Sequence, residues 1–549
     1  MSFGAGAMTN SIPEIEFCEL MFIIGSNTTE AHPVIAMAMK KALHRGCKLI
    51  VADPRAIWLT HVADLHIQHR PGTDVWLVNA MAHVILAEDL HDKDYCANHT
   101  EQFEEFAATV ARYTPEAAEE VCGIPAEHIR TAARMYATTP KAGIFYTLGI
   151  TEHTHGTDNV LALANLVAIT GHLGQLSAGL NPLRGQNNVQ GAGDVGAHPD
   201  NLPGAQKVAD PVARARFEAA WGVPLTTERG LNLNEIMHGL EDGHIHGMFL
   251  MGEDILVSEP NAAKLEEALN HIEFLVVQEI FPSETMRYAH VVLPAGCFAE
   301  KDGTFTNTDR RVQKVRKAVE PPGQARADWE IIVALTRACG YPTPDYQSPS
   351  DIWDEMAAQS PRFAGISHDR IDDIGGIQWP CPTTDHPGTP TLHIGKPMRG
   401  KAKLHPVEYR PPVEPTDENY PLVLSTGRVL YHYNVGNQTM REKGAPMKVP
   451  ENFLEMHRFD AKRLGIADGE KVRVRSRRGE LVVSAMISPR MRPGLVWMPL
   501  HNFGADTRVN LLTIDQGDPI TGTPEFKVCA VHVERAAGPR QTSLERTIQ

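Results

Sequence analysis

A single arginine lies among side-chain amides in the stretch Leu183-Arg184-Gly185-Gln186-Asn187-Asn188-Val189-Gln190-Gly191. Residues 181–204 hold five glycines and little apolar sequence, so a solvated linker between two domains is one interpretation. Linkers usually favour charged or serine-rich sequence, whereas here the amides could hold one cation in place. A guanidinium fork can bind a small planar anion at two points, and we expect Arg184 to do so.

Two stretches of the chain have nearly the same pattern and predict two similar units. In each, an apolar run ends on a glycine, a proline follows, a helical pattern intervenes, and a second apolar run ends on an acid. The matching residues are Gly25 and Gly252, Pro33 and Pro260, and Asp53 and Glu279. A strand, a tight glycine turn, a helix and a strand ending on an acid can hold a nucleotide. Two such units indicate two nucleotide-like ligands, or one ligand with two nucleotide ends.

An alternative is that both stretches are ordinary βαβ units without a ligand. Neither copy has the full G-x-G-x-x-G pattern, so a nicotinamide-dinucleotide enzyme fits poorly.

Composition excludes several classes of protein. The 549 residues contain 52 Lys plus Arg against 67 Asp plus Glu, a net charge of −15 without a basic block, which argues against a nucleic-acid partner. No uncharged apolar run reaches the length of a membrane span. The eight cysteines are scattered singly, so no zinc site or iron–sulfur cluster can form from local ligands. Isolated cysteines and the absence of a signal-peptide pattern favour a cytoplasmic protein.

Hydrophobic periodicity predicts an α/β protein followed by a β domain. Residues 1–182 alternate strand and helix patterns, including a strand over 61–67 and a helix that starts near Val75. Residues 340–420 read as long irregular connections. From about residue 421 the alternation around Leu422, Lys471 and Leu481 predicts a small barrel.

Six separated motifs, in the same order, resemble one known family over essentially the whole chain. They are Gly25-Ser26-Asn27 with His32-Pro33, Ala52-Asp53-Pro54-Arg55, the Arg184 stretch, Gly252-Glu253-Asp254, Thr426-Gly427-Arg428 with His432, and Pro524-Glu525-Phe526-Lys527. The resemblance is to molybdenum- or tungsten-dependent formate dehydrogenase catalytic subunits, within the molybdopterin oxidoreductase (dimethyl sulfoxide reductase-like) family.

The resemblance implies two pseudo-related doubly wound α/β domains and a C-terminal β-barrel of the double-psi type. We expect a first α/β domain over 1–182 and a second over 183–298. An irregular connecting region over 299–400 would follow, and the barrel domain would cover 401–549.

The resemblance also implies a cofactor, a molybdenum or tungsten atom held by two molybdopterin guanine dinucleotides. The first unit would bind one guanine end through Gly25, Asn27 and Asp53, with Arg55 and Asp74. Further residues expected to bind the cofactor are Ser26, His32, Gly72, Gly149, Glu152 and Gln186. The second unit would bind the other guanine end through Glu253, Asp254, Gln278, Glu279, Lys301 and Asp328. The barrel would close over both pterins through Thr426, Gly427, Arg428, His432, Phe503, Asn510 and Lys527. Glu152 departs from the family, where glutamine is common at this position.

The activity implied is two-electron oxidation of formate to carbon dioxide, or the reverse, with Arg184 holding the carboxylate. An iron–sulfur or flavin subunit would accept the electrons. Nitrate or another oxyanion as substrate is the alternative within the family, and a non-catalytic cofactor-binding protein is the alternative outside enzymes.

One departure concerns the metal ligand. The family's metal-binding cysteine or selenocysteine precedes a segment like Phe3–Asn10, so no metal-ligating residue is predicted here and the chain is expected to be a downstream portion of a catalytic subunit. A selenocysteine codon interpreted as a stop, or a split subunit, would explain this start. The family's [4Fe-4S] cluster would then lie upstream or on a partner. His153 and His155 lack predicted carboxylate partners and are not expected to bind metal; His238, His244 and His246 are expected at a surface helix end.

Overall fold

The structure is a computed structural model that describes residues 1–501 and 504–536. Its strands are β1 Leu20–Ile24, β2 Lys48–Ala52, β3 Leu65–Ile67, β4 Thr100–Glu101, β5 Ala142–Tyr146, β6 Gly179–Pro182, β7 Asn201–Leu202, β8 Gln206–Lys207, β9 Gly247–Met251, β10 Phe274–Glu279, β11 Val291–Pro294, β12 Gly303–Thr306, β13 Arg311–Val315, β14 Ile377–Gln378, β15 Ala402–Lys403, β16 Leu422–Gly427, β17 Phe453–Met456, β18 Lys471–Arg475, β19 Glu480–Ile487, β20 Leu495–Pro499 and β21 Cys529–Arg535.

The α-helices are α1 Thr28–Ala31, α2 Pro33–His44, α3 Asp74–Ala87, α4 Lys93–His99, α5 Phe103–Val110, α6 Pro115–Cys122, α7 Ala126–Thr138, α8 Leu148–Thr151, α9 Gly156–Ile169, α10 Val189–Asp194, α11 Pro211–Trp221, α12 Leu233–Glu241, α13 Ile255–Ser258, α14 Ala262–Leu269, α15 Asp328–Ala338, α16 Pro349–Ala358, α17 His368–Ile374, α18 Gly444–Lys448 and α19 Arg458–Leu464. Short 3₁₀ helices cover Ile12–Phe17, Trp58–His61, Thr285–Tyr288, Phe298–Glu300, Thr439–Arg441, Ala505–Thr507 and Val509–Leu511.

The first α/β unit is built on a five-stranded parallel sheet in the order β3-β2-β1-β5-β6. Every residue of β1 and β5 is buried, because helices pack on both faces of the sheet. The strand Leu20–Ile24 contributes alternate residues to two cores, one shared with α3, α7 and α9 and one shared with α2. The turns at the carboxyl ends of β1, β2 and β5 therefore share one edge of the sheet.

The second α/β unit repeats the first on a smaller scale. Its parallel strands lie in the order β11-β10-β9, which matches β3-β2-β1. The turn glycines agree in detail, because Gly25 has φ +57° and its amide donates to the Ala52 carbonyl at 3.0 Å, while Gly252 has φ +65° and donates to Gln278 at 2.9 Å. One face of this sheet carries no helical layer in the described chain, and Phe249 and Met251 are 46% and 45% exposed there.

The C-terminal domain is a closed six-stranded barrel in the order β16-β20-β17-β19-β18-β21. Alternate residues of β18 and β19 point inward, as the sequence alternation predicts. The predicted fold class, α/β units followed by a β-barrel, is confirmed.

Two local predictions were wrong. Residues 340–420 contain the helices α16 and α17, whose apolar side chains Trp353, Phe363 and Ile371 pack in a core with Trp379. The strand predicted over 61–67 is reduced to Leu65–Ile67, because a 3₁₀ turn takes Trp58–His61. The domain boundaries stay a prediction.

All eight cysteines are free, and six of them are buried. Among the described residues, no helix combines the length and the apolar character that a membrane crossing requires.

The close contact between the Gly25 and Gly149 turns gives a test of the fold. A Cβ atom on Gly25 would lie 2.8 Å from the Gly149 carbonyl carbon, whereas one on Gly46, also at positive φ (+91°), would have no neighbour within 4 Å. Both alanine variants carry the left-handed backbone cost of about 1–2 kcal/mol. We expect Gly25→Ala to lower the free energy of unfolding in urea by at least about 1 kcal/mol more than Gly46→Ala. Equal losses would contradict this packing.

Candidate active site

A cavity of about 370 Å³ lies where the carboxyl edge of the first sheet meets the barrel; we refer to it as the junction cavity. Its walls come from distant parts of the chain: the β1, β2 and β5 turns, the Arg184 stretch, and the segment after β16. Among the predicted site residues, those that line it are Gly25, Asn27, His32, Asp53, Arg55, Gly72, Asp74, Gly149, Gln186, Thr426, Gly427, Arg428, His432 and Lys527.

Backbone alone forms part of this wall. The Gly149 amide donates to the Gly25 carbonyl at 3.1 Å, and a Cβ atom on Gly149 would lie 2.6 Å from the Gly25 Cα. Any larger residue would push the two turns apart. Glycine at both positions therefore lets the β1 and β5 turns meet beside the cavity.

The acid after β2 is half-buried next to an arginine that is held from two sides. The Asp53 Oδ1 accepts a hydrogen bond from the Arg55 amide at 2.9 Å, and burial raises the pKa of Asp53. The Arg55 guanidinium lies 3.9 Å over the Trp497 ring and 3.3 Å from the Glu455 Oε2. Burial lowers the pKa of Arg55, and the carboxylate of Glu455 opposes that shift. One arginine thus joins the first α/β unit to the barrel.

Histidines and carboxylates form a buried network under the cavity. The His69 Nε2 lies 3.0 Å from the Asp74 Oδ1, and the His153 Nδ1 lies 3.0 Å from the Glu525 Oε1. The rings of His153 and His155 stack with centroids 5.3 Å apart. The argument that His153 has no carboxylate partner was therefore wrong, because Glu525 lies far from it in sequence.

Positive charge concentrates on the barrel side. The Lys527 Nζ lies 2.6 Å from the Glu152 Oε2 and donates to the Thr426 carbonyl at 3.0 Å. The Arg428 Nη1 is buried without a hydrogen-bond partner among the described residues, and burial lowers the pKa of Arg428. A buried guanidinium N–H without a partner suits an acceptor such as a phosphate oxygen.

Arg184 lies at the rim of the cavity, between Leu183 and Gly185, which line it. Its backbone is held on both sides, because the amide donates to the Thr308 Oγ1 at 3.0 Å and the carbonyl lies 3.0 Å from the His32 Nε2. The residue is exposed overall, but its Nε and Nη2 are bound within the protein.

Predicted residues of the second unit form a separate group, which does not line the junction cavity. Gln278 is fully buried; its Nε2 donates to the Asp328 Oδ1 at 2.7 Å, and Lys301 pairs with the same carboxylate. The Gln278 Oε1 has no partner among the described residues. Asp254 accepts hydrogen bonds from the Thr285 amide and hydroxyl and other protein donors.

The remaining predicted residues have local contacts. The Ser26 hydroxyl bonds that of Thr28, and Glu253 accepts from the Ser258 hydroxyl. Glu279 is half-buried, and burial raises its pKa. The Asn510 amide group donates to the carbonyls of two α13 residues, so it ties the barrel domain to the second unit. Phe503 lies outside the described residues.

Sequence analysis missed several residues of the junction cavity. His69 follows β3 and lines the cavity, and a polar residue at the end of a parallel strand was a usable signal. Trp497 and His153 also line it, but their partners Arg55 and Glu525 are hundreds of residues away, so no local pattern marks them.

The chain thus combines two related α/β units with a closed barrel, and a cavity lies between the first unit and the barrel. Comparison with known proteins shows the family to which this arrangement belongs. The family model "Molybdopterin oxidoreductase" matches residues 2–338, and "Molydopterin dinucleotide binding domain" matches residues 422–530. The chain belongs to the molybdopterin oxidoreductase family and carries a molybdopterin-dinucleotide-binding domain.

Two curated relatives and one solved structure are similar to this chain over nearly its whole length. The F420-dependent formate dehydrogenase subunit alpha of Methanocaldococcus jannaschii is 46% identical over 537 residues, which are 97% of this chain and 79% of the relative. Formate dehydrogenase H of Escherichia coli is 39% identical over 98% of this chain and 76% of the relative. Acetylene hydratase from Pelobacter acetylenicus shares the fold at 20% identity, with a TM-score of 0.75 over 97% of this chain and 80% of its own.

The His153–Glu525 pair predicts a pH-dependent stability. Burial alone would lower the pKa of His153, but the neighbouring Glu525 carboxylate outweighs it and raises the pKa to about 9. The pair therefore stabilises the fold fully below pH 6.5, and the stabilisation is lost as the pH rises through about 9.

We expect the destabilisation caused by His153→Gln to be larger at pH 6 than at pH 10 by more than about 1 kcal/mol. Urea unfolding at both pH values measures it, with the exposed His44→Gln as control. A destabilisation that is independent of pH would show that folding leaves the pKa of His153 unshifted, and would contradict its pairing with Glu525.

Proposed function

We propose that this protein oxidises formate to carbon dioxide at a molybdenum or tungsten centre held by two molybdopterin guanine dinucleotides. The observation that carries the proposal is the junction cavity. There the buried Arg428 Nη1, which has no hydrogen-bond partner among the described residues, and two glycine turns lie beside the anchored Arg184. The relatives named formate dehydrogenase, 39–46% identical over nearly the whole chain, support the substrate.

The residues fit the two ends of such a cofactor. In the first unit, Asp53 and Asp74 present carboxylates toward the junction cavity, where guanine or ribose donors would be bound. Asn27 offers a buried Nδ2 without a partner among the described residues, and Arg428 offers its Nη1. In the second unit, the Gln278 Oε1, which has no partner in the described part of the chain, would accept from a guanine N–H.

Arg184 would bind the formate carboxylate. The guanidinium carries a fixed positive charge, and two of its nitrogens are already held, so little orientation entropy remains to be lost on binding. The bound metal cofactor would supply the two-electron acceptor for this reaction, which converts formate into carbon dioxide and one proton. The contribution of Arg184 is to hold the anion in one orientation while the C–H bond breaks.

The electrons must leave through another carrier. We propose an iron–sulfur or flavin subunit as partner, with any [4Fe-4S] cluster outside this chain, because the eight cysteines are dispersed and mostly buried. The same free cysteines support a reducing compartment, and we propose the cytoplasm.

Cofactor stoichiometry tests the first part of the proposal. We expect purified protein to contain two guanosine monophosphates, released by acid hydrolysis, for each bound molybdenum or tungsten atom measured by mass spectrometry. Arg428→Ala should lower cofactor content severalfold, because a buried phosphate donor is removed. The control Arg463→Ala removes a surface arginine that pairs with Asp460, and should leave the content unchanged. One nucleotide per metal would rule out a cofactor with two guanine dinucleotides.

Arg184 variants test the substrate. Arg184→Ala should raise the KM for formate at least about 100-fold, or abolish turnover with an artificial electron acceptor, and Arg184→Lys should restore only part of it because the fork is lost. Arg463→Ala again serves as control. Wild-type kinetics in the Ala variant, or turnover of nitrate in place of formate, would refute formate binding by Arg184.

A further inference from the structure

A series of buried polar side chains, joined by hydrogen bonds, leads inward from Arg184. The Arg184 Nε donates to the Gln190 Oε1 at 3.2 Å, and the Gln190 Nε2 donates to the Asp194 Oδ1 at 2.9 Å. The Asp194 Oδ2 accepts from the Trp379 indole N–H at 2.6 Å. Gln190, Asp194 and Trp379 are 5%, 4% and 1% exposed, so water cannot substitute freely for any of them.

The direction of each hydrogen bond in this series is fixed by the donors at its two ends. The Arg184 Nε can only donate, so it needs the oxygen of the Gln190 amide. The indole of Trp379 can only donate as well, and Asp194 as a carboxylate accepts at both of its oxygens. Gln190 must therefore direct its NH₂ group toward Asp194 and its oxygen toward Arg184. If the side chain at position 194 could also donate, the Gln190 amide would no longer be held in this one orientation.

A second anchor completes the placement of the guanidinium. The Arg184 Nη2 donates to the Gly6 carbonyl at 3.0 Å, while Nη1 has no hydrogen-bond partner among the described residues. Gly6 lies near the chain start and Gln190 in α10, so the guanidinium is held from two sides. The outer edge of the guanidinium, with Nη1, stays available for a ligand.

Asp194 is itself supported. The Arg362 Nη1 lies 3.8 Å from the Asp194 Oδ1, and the Arg362 guanidinium lies 4.3 Å over the Trp379 ring. This positive charge offsets part of the cost of burying the carboxylate.

We propose that Asp194 is a positioning residue, which holds the Arg184 guanidinium in its anion-binding orientation by fixing the Gln190 amide. This inference rests on the proposed binding of formate by Arg184.

The test uses a neutral variant of nearly the same shape and a double variant in which every donor again faces an acceptor. Asp194→Asn leaves one donor facing another, at Trp379 or at Arg184. When Gln190→Glu is added, the introduced carboxylate accepts from both Arg184 and the introduced amide, whose own oxygen accepts from Trp379. We expect the KM for formate to rise at least about 10-fold in Asp194→Asn with kcat within about threefold of wild type, and to return within about threefold in the double variant.

Two further variants provide an independent test and a control. Gln190→Met breaks the same link without changing charge and should raise KM like Asp194→Asn, which covers the case that Asp194→Asn does not fold. Asp372→Asn removes an exposed carboxylate paired with Lys314 and Arg316, and should leave KM unchanged. Thermal unfolding of each protein reports whether it is folded.

Crystal structures give a readout that does not depend on turnover. The distance between the Arg184 Nε and the nearest side-chain oxygen at position 190 should exceed about 4 Å in folded Asp194→Asn, and it should return to about 3.2 Å in the double variant. An unmoved guanidinium, or a double variant no better than the single one, would overturn the positioning role. If wild-type enzyme does not oxidise formate, the proposed function fails, and the crystallographic comparison still decides the role of Asp194.

Discussion

Buried carboxylates of the C-terminal domain bind the first α/β unit, and the junction cavity depends on them. Glu525 is fully buried between His153 and the Thr154 amide, and Glu455, equally buried, pairs with Arg55. Removing His153 would leave the Glu525 charge without its ionic partner out of water, which costs several kcal/mol. Glu455 has a second arginine as well, with the Arg490 Nε 3.2 Å from its Oε1. These pairs therefore fix where the barrel sits on the sheet edge, and the cavity is the space that remains between them.

The two α/β units share a plan but differ in what they leave open. In the first, helices cover both sheet faces, and Asn27, two residues after the turn glycine, lines the cavity with an Nδ2 that has no partner among the described residues. In the second, Asp254 is occupied by protein donors, and the exposed Phe249 face has no helical layer within the described residues. Similar backbones thus carry different amounts of free hydrogen-bonding capacity.

Much of the fold could be predicted because its signals are local. The glycine turn after each first strand, the alternation of β18 and β19, and the helical spacing after Asp74 all depend on neighbouring residues. The helices α16 and α17 were missed because proline and aspartate obscure their periodicity, while Trp353 packs against distant residues.

The candidate site was predictable where a motif contains both the residue and its environment. Arg184 and its amide neighbour Gln190 lie six residues apart, so a fixed guanidinium could be inferred. Its contact with Gly6, and the contacts of His153 with Glu525, join positions that only the folded chain brings together. The residues proposed for the second unit lie together as a group, but their separation from the junction cavity could not be predicted, because no local pattern reports the distance between two units.

The position of Lys527 in the cavity wall has a consequence for biogenesis. The wall contains Gly25 near one end of the chain and Lys527 near the other, so no partial chain encloses the space. A ligand that binds only the complete enclosure must enter after the ribosome has released the last strand of the barrel. Once inside, it favours the assembled arrangement over every separated one, so insertion also locks the domains together.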